Sequence, residues 1–481
     1  VVGFQGEGYA VVGKTPGIRT PWGFVAFGRD FAADPYGSLE RLQEKFGDVV
    51  EISSGVGTRI VMLLGPEANQ FVLSEGKQLF RFHEAYRSLI PVDGQTALIV
   101  SDGQEHARRR RLVQPAFRPR SIDGYLEIML AEANQAIDGM PHGVKFDAHE
   151  NLRSAIRRTV IRSLFGEKLA DRADEVGMIL EPALEFVNLP PQRQIRVNVS
   201  GGKYHAAIRA RALTDQLIDA EIDRRANMPA SSRPCNDVLS MLLPSSGVQS
   251  HSGSIRGRST TSGVTALGPA TGYLTRPEIR DQIVSLIAAG YDTTSAALSW
   301  AVVELLADDQ HTKALRAEID GVLGDRDLEV QDLPRLVYLD GFILEVLRLH
   351  PPGVVIPRYA IENFEFDGYT IKQGSLVMYS PYLSQRDPRT WADPDQLLPL
   401  RWDSGRPDFV RPSAHDFVTF GGGARRCIGF GFAMMELKAF LVQIVRRLDV
   451  SADAVVGSRA TGIATVKPVG GVQVKVRPRR T

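Results

Sequence analysis

Apolar residues return at helical spacing through the long middle of the chain. From residue 120 to 243 they form successive amphipathic segments, interrupted at Leu189-Pro190-Pro191 and at Gly201-Gly202. Asp34-Pro35-Tyr36 opens an earlier helical pattern that continues through Leu39, Leu42 and Phe46. Thr275-Arg276-Pro277-Glu278 has the form of a capping box, threonine as N-cap and glutamate three residues on. The helix it starts is long, and Ile283, Ile287, Leu298, Trp300 and Leu305 keep it apolar. Strand-like runs are short by comparison. They fall at 48–52 and 59–64, on either side of a glycine-bearing turn, at 365–369 and 376–378, and in the alternating tail 472–476.

Three stretches fit neither period. Residues 1–30 are rich in Gly, Pro and Val and read as an irregular lead-in. Residues 85–100 mix apolar and turn-forming types, with Pro91 and Gly94 as breakers. Residues 244–272 are dominated by Ser, Thr and Gly, a composition that cannot bury enough surface to offset its ordering entropy. A flexible insertion is expected there.

Composition narrows the class without choosing a function. The 481 residues are 43% hydrophobic and 23% charged, ordinary for a globular protein, and would by length suggest about three domains. A net charge of +1 gives no global field directed at nucleic acid. The two cysteines, Cys235 and Cys427, exclude a disulfide framework. Cys235 sits in a Ser-Arg-Pro context that reads as an exposed connection. No run of about twenty apolar residues would span a membrane, so the chain as given reads as soluble or cytoplasmic. It opens at Val1 rather than Met, which leaves open a removed anchor or targeting segment.

Two places carry chemistry. Inside the apolar helix lies Ala289-Gly290-Tyr291-Asp292-Thr293-Thr294. A carboxylate and a hydroxyl there are costly unless satisfied or used. Either Thr293 bonds back to its own helix while Asp292 pairs with a distant arginine, or the pair serves a reaction. The second place is Phe420-Gly421-Gly422-Gly423-Ala424-Arg425-Arg426-Cys427-Ile428-Gly429, followed by a helical pattern. Gly423 and Gly429 lack a Cβ to keep neighbours away. A helix N-terminus and adjacent arginines favour the thiolate form of Cys427. One thiolate without companions cannot build a zinc or iron–sulfur site, and haem iron is the better fit.

Phe420, Gly423, Arg425, Cys427 and Gly429 match F-x-x-G-x-R-x-C-x-G, and by these residues the chain resembles the cytochromes P450. The resemblance runs from near residue 15 to the C-terminus. It implies a single domain over 1–481, mainly α with small β-sheets (α+β), with haem b between the long central helix and the cysteine loop and its following helix. Cys427 would be the iron ligand, and Phe420, Gly423, Arg425 and Gly429 would cradle the cofactor. His106 and Arg110, four apart on one helical face, match the family's pair for a haem propionate, as does Arg358. Arg108, Arg109 and Arg111 are expected to face solvent. Gly290 would let dioxygen lie against the backbone, and Thr293 with Asp292 would manage protons for oxygen activation. Glu345-x-x-Arg348 matches the family's E-x-x-R, joined by Arg401 in a buried ionic triad, although Leu397 stands where an aromatic is frequent. His350 reads only as the residue before a helix-stopping proline.

By the same resemblance, residues 85–100 roof the substrate pocket, 180–215 form a lid, and Ala289, Val354, Val355 and Ile356 line the pocket. The loop at 460–464 could touch the substrate. The implied activity is monooxygenation of a hydrophobic small molecule, of lipid, fatty-acid, terpene or steroid-like type, with O2. No flavin, nicotinamide or iron–sulfur domain is recognisable, so electrons would come from a separate ferredoxin, flavodoxin-type protein or reductase. Arg426, the 108–111 run and Arg446-Arg447 are candidates for a basic docking face. The alternatives are a peroxide-driven haem-thiolate enzyme or isomerase, a non-enzymatic haem sensor or carrier, and a helical protein without cofactor.

Overall fold

The computed structural model of the chain describes residues 14–55, 57–189, 193–229, 237–243, 273–453 and 459–479. The expected insertion at 244–272, the Cys235 connection and Pro190-Pro191 lie outside these residues.

The chain is organised on the helix Arg276–Ala307, 32 residues long. Its start is the capping box read from the sequence: Thr275 N–H donates to Glu278 Oε2 at 2.8 Å, and Glu278 N–H to the Thr275 hydroxyl at 3.4 Å. Most of its side chains are buried, including Ile287, Leu298 and Trp300 at 0% exposure. Burying each such side chain stabilises by about 1.5–3 kcal/mol. Helices Ala148–Phe165, Val337–Leu349 and Phe430–Arg447 pack against it. Gly290 faces the helix Ala148–Phe165, where an added Cβ would stand 3.2 Å from Val160. Helix packing alone therefore favours a small residue at that position.

The strand expectations hold, with one revision. Val49–Ser53 and Arg59–Leu63 pair antiparallel, Val49 opposite Leu63. They belong to a six-stranded sheet ordered 17–18, 49–53, 59–63, 376–379, 356–360, 80–81. The 365–369 stretch is instead a separate hairpin, Phe364–Phe366 against Tyr369–Ile371. Its turn is Asp367-Gly368, both at positive φ (48° and 74°), the conformation that two-residue hairpin loops need. The tail strand Gln473–Pro478 pairs with Leu448–Ser451 on one side and with Phe146–Asp147 on the other.

Two other expectations are corrected. Residues 1–30 are not irregular throughout, since Pro21–Ala33 is a helix. Thr20 caps it by accepting from Gly23 N–H at 3.1 Å, and Pro21 occupies the first turn, where its missing N–H costs nothing. His350 is more than a spacer before Pro351. It is buried, bonded to Glu304 at 2.7 Å and stacked on Trp300 with ring centroids 4.1 Å apart, tying the end of Val337–Leu349 to the central helix.

Candidate active site

The cysteine loop is held from both ends. Cys427 N–H donates to Phe420 O at 2.8 Å, and Phe420 meets Phe430 edge-on at 4.8 Å. Gly421 and Gly423 take φ of 63° and 59°, left-handed values that favour glycine. Gly429 is different: it caps helix Phe430–Arg447 at ordinary φ, and a Cβ there would only touch Cys427 Sγ at 3.9 Å. Cys427 itself is exposed, yet the surrounding loop and helix enclose it enough that desolvation pushes its thiol up. The Gly429 N–H, Arg110 and Arg426 oppose that shift without reversing it. Helix terminus and arginines thus favour the thiolate as expected, and burial outweighs them. Ligation to a metal, which deprotonates a thiol outright, would make the thiolate.

Four nitrogenous side chains gather beside this loop. His106 is buried on helix Gly103–Val113, one turn from Arg110, whose Nη2 donates to Arg426 O at 2.8 Å. Arg425 reaches Ser101 O at 2.6 Å and Asp102 at 2.8 Å. Its guanidinium lies 3.9 Å from the Phe82 ring centre, and that of Arg358 lies 4.1 Å from the same centre. Burial, with Arg358 and Arg110 nearby, lowers Arg425 to about 10 against the pull of Asp102. Burial, then Arg425 and Arg110, lower His106 to about 4, so it is neutral at physiological pH. Arg110 and Arg358 have no carboxylate partner among the described residues. A cluster of mutually repelling cations with one carboxylate, Asp102, suits a dianionic group such as the two propionates of haem. The residues present fit that cofactor.

On the central helix, Ala289 is exposed and Gly290, Asp292 and Thr293 are half-buried, so the helix borders open space on this side, the candidate substrate cavity. Thr293 Oγ1 donates to Ala289 O at 2.7 Å, and Arg153 Nε donates to Asp292 at 3.1 Å while its Nη2 holds Glu181 at 2.9 Å. The two structural contacts anticipated for this pair are both made. Of the other pocket candidates, Val355 and Ile356 are half-buried, but Val354 has no exposed surface. It is packed in the core and its carbonyl accepts from Ser380 Oγ at 2.7 Å, so it does not line the cavity. The 460–464 loop meets the end of helix Ala173–Val187 through Ala464 N–H and Asn188 Oδ1 at 3.1 Å.

Glu345 and Arg348 form a doubly bonded pair at 2.7 and 2.8 Å with no exposed surface on either. Arg401 Nε stands 3.4 Å from the same carboxylate, which also accepts from Leu398 N–H and Trp402 Nε1 at 2.9 Å. Arg348 donates onward to the Gln385, Pro394 and Gln396 carbonyls. Gln385, which no sequence signal singles out, accepts from Val418 and Thr419 N–H at 2.8 and 2.9 Å, directly ahead of Phe420. The triad is thereby wired to the start of the cysteine loop.

A protein-family model described as Cytochrome P450 matches residues 16–474. The chain belongs to the cytochrome P450 family. It is 38% identical over 432 residues to a Mycobacterium tuberculosis protein assigned as cytochrome P450 139, covering 89% of this chain and 94% of that one. It is 30% identical over 439 residues to cyclooctatin synthase of Streptomyces melanosporofaciens, covering 90% and 86%. Its fold matches that of the retinoic-acid-bound cyanobacterial CYP120A1 with a TM-score of 0.80 at 24% identity, over 97% of this chain and 99% of the other. This P450 is accordingly a haem b oxidoreductase of the monooxygenase class, of mainly helical α+β fold. As for the family, dioxygen, a hydrophobic substrate and a redox partner are its reactants. No helix among the described residues is long and apolar enough to cross a membrane.

Proposed function

We propose that this P450 inserts one atom of dioxygen into a C–H bond of a lipid, fatty-acid, terpene or steroid-like molecule, using electrons from a separate ferredoxin, flavodoxin-type protein or reductase. The observation that carries the reading is the Asp292–Thr293 pair on the cavity side of the central helix. Haem, when bound, supplies the oxidising chemistry. The protein supplies the rest. Cys427 Sγ would hold the cofactor from the loop side, Arg110, Arg358 and Arg425 would offset its propionates, and neutral His106 would donate a hydrogen bond to one of them. Gly290 lets the central helix pack closely on Val160 and so fixes where Thr293 stands. Thr293 Oγ1 gives up its bond to Ala289 O and presents its hydroxyl to the cavity. Asp292, swinging from Arg153 towards solvent, takes up a proton there and delivers it to Thr293 Oγ1 as that hydroxyl passes its own proton on.

Thr293→Ala is expected to lower product formed per electron pair by about tenfold or more, within the range of lost proton-transfer catalysis, while substrate affinity stays within about twofold. Simultaneous assays of reductant consumption and product check this. Unchanged coupling would favour the competing reading, in which the pair is only structurally satisfied and the enzyme is peroxide-driven or an isomerase. Turnover with peroxide alone would support that alternative.

The expected docking face is revised. Arg109 is engaged with Glu278 at 2.8 Å and Ser101, and Arg108 also meets Glu278, so neither is a free solvent-facing charge. Arg446 caps the Gly324 and Arg326 carbonyls, and Arg447 holds Asp138 and Asn134. Arg111, Arg118, Arg120 and Arg426 are exposed and without carboxylate partners among the described residues. They flank the outer side of the cysteine loop, where Ile122 presses on Gly431 of the following helix. An acidic electron donor fits this face. The double reversal Arg118→Glu/Arg426→Glu should slow the first electron transfer about tenfold at low salt and flatten its salt dependence, as read by stopped-flow reduction. Equal slowing by Arg446→Glu would remove the assignment.

A further inference from the structure

Ser285, Ala289 and Thr293 are spaced four apart and share one face of the central helix, the face that opens to the cavity at Ala289. Packed on that helix one turn from Ala289 is the short turn Ile90–Asp93, which belongs to the segment over the pocket. Asp93 is buried at 6% exposure and Ser285 at 9%.

The charges around Asp93 do not balance. Arg211 is the guanidinium near it, and that group is already engaged: Nε with Asp215 at 2.8 Å, Nη1 with Val92 O at 2.8 Å, and Nη2 with Asp281. Asp281 further accepts from Thr96 N–H at 2.9 Å and Thr96 Oγ1 at 2.6 Å. Three carboxyl groups thus stand against one guanidinium. Burial first, and then the charge of Asp281, push Asp93 up to about 7, against the opposing pull of Arg211 and the Ser285 hydroxyl. Asp281 and Asp215 are accounted for by the framework that joins the pocket roof, helix Lys203–Ala226 and the central helix. Asp93 is the member left with the Ser285 hydroxyl and a shared cation.

We propose that Asp93, with Ser285 beside it, is the polar recognition point of the substrate cavity, and that it receives a hydroxyl or ammonium group carried by an otherwise hydrophobic substrate. A buried carboxyl short of cations favours a donor or a cation and disfavours a second carboxylate. Apolar ligand cavities fix orientation with a small number of such groups. The inference rests on the monooxygenase reading for the location of the cavity and deepens it by naming a feature of the substrate.

The test uses the haem-loaded full chain and calorimetric titration with decan-1-ol, decyltrimethylammonium and decanoate, all below their micelle concentrations. The wild type should bind the alcohol or the cation about tenfold or more tightly than decanoate, as expected for a hydrogen bond to a charged group. Asp93→Leu should bring the three to within about threefold of one another. Asp93→Asn should keep the alcohol and lose the cation if a hydroxyl is the natural partner, or weaken both if charge is what binds. Ser285→Ala, which leaves the carboxyl in place, should weaken the alcohol about threefold and keeps the test decisive if Asp93→Leu fails to load haem. A wild-type preference for decanoate, or a ranking untouched by Asp93→Leu and Ser285→Ala, overturns the proposal. Binding is read without dioxygen or reductant, so its failure is separable from failure to oxygenate.

Discussion

Cys427→Ala is expected to abolish both the haem-thiolate spectrum and turnover, the largest effect of any single substitution in this chain. The loop offers one sulfur, and no group of three or more His, Cys, Asp or Glu capable of holding a metal occurs among the described residues. No neighbour can therefore take over as the ligand. The cluster of His106, Arg110, Arg358 and Arg425 proposed for the propionates remains when Cys427 is removed, so some haem should still associate, but without the sulfur ligand. The measurement is the absorption of the reduced protein under carbon monoxide, alongside product assay. Expected are loss of the thiolate-type maximum and product below detection. Cys427→Ser controls for volume and should behave like alanine. Retention of the thiolate-type spectrum in either variant would end the assignment.

What the sequence makes legible is what lies close together along it. The Thr275/Glu278 capping box, the Glu345/Arg348 pair and the loop from Phe420 to Gly429 each fit within a few turns of chain, and residue type and spacing suffice to read them. The strands at 49–53 and 59–63 are bounded by a local turn and were readable for the same reason. The misreadings arise from partners far apart in sequence. Arg109 looks like a solvated charge until Glu278, 169 residues on, folds against it. Arg425 meets Asp102 across a longer separation still, a pairing that leaves no mark on local periodicity; the need of Asp292 for a distant arginine is readable, but only the fold names Arg153. Gln385 is the sharpest case. An uncharged residue in a plain stretch becomes the link between the ionic triad and the cysteine loop only through hydrogen bonds to segments more than thirty residues away. The helix Pro21–Ala33 was missed for a different reason: the count of Gly and Pro outweighed the Thr20-Pro21 start signal.

That wiring sets the expectation for the triad. Glu345→Ala leaves the Arg348 guanidinium fully buried without its counter-ion, and removing one partner of a buried pair costs about 3–5 kcal/mol. Leu398 N–H and Trp402 Nε1 lose their acceptor at the same time. The change should also reach the cofactor, because Arg348 holds the Gln385 backbone, and the Gln385 side chain holds Val418 and Thr419 at the head of the cysteine loop. Expected are a clearly lower urea midpoint for the haem-loaded protein and weaker haem retention during dilution, with both effects moving together. Glu345→Leu/Arg348→Leu removes both charges and should cost less than the sum of the single changes, since no unpaired ion remains. If Glu345→Ala unfolds at the wild-type midpoint, the pair is not what braces the core. If it unfolds early yet retains haem as firmly as the wild type, the path through Gln385 does not transmit the loss.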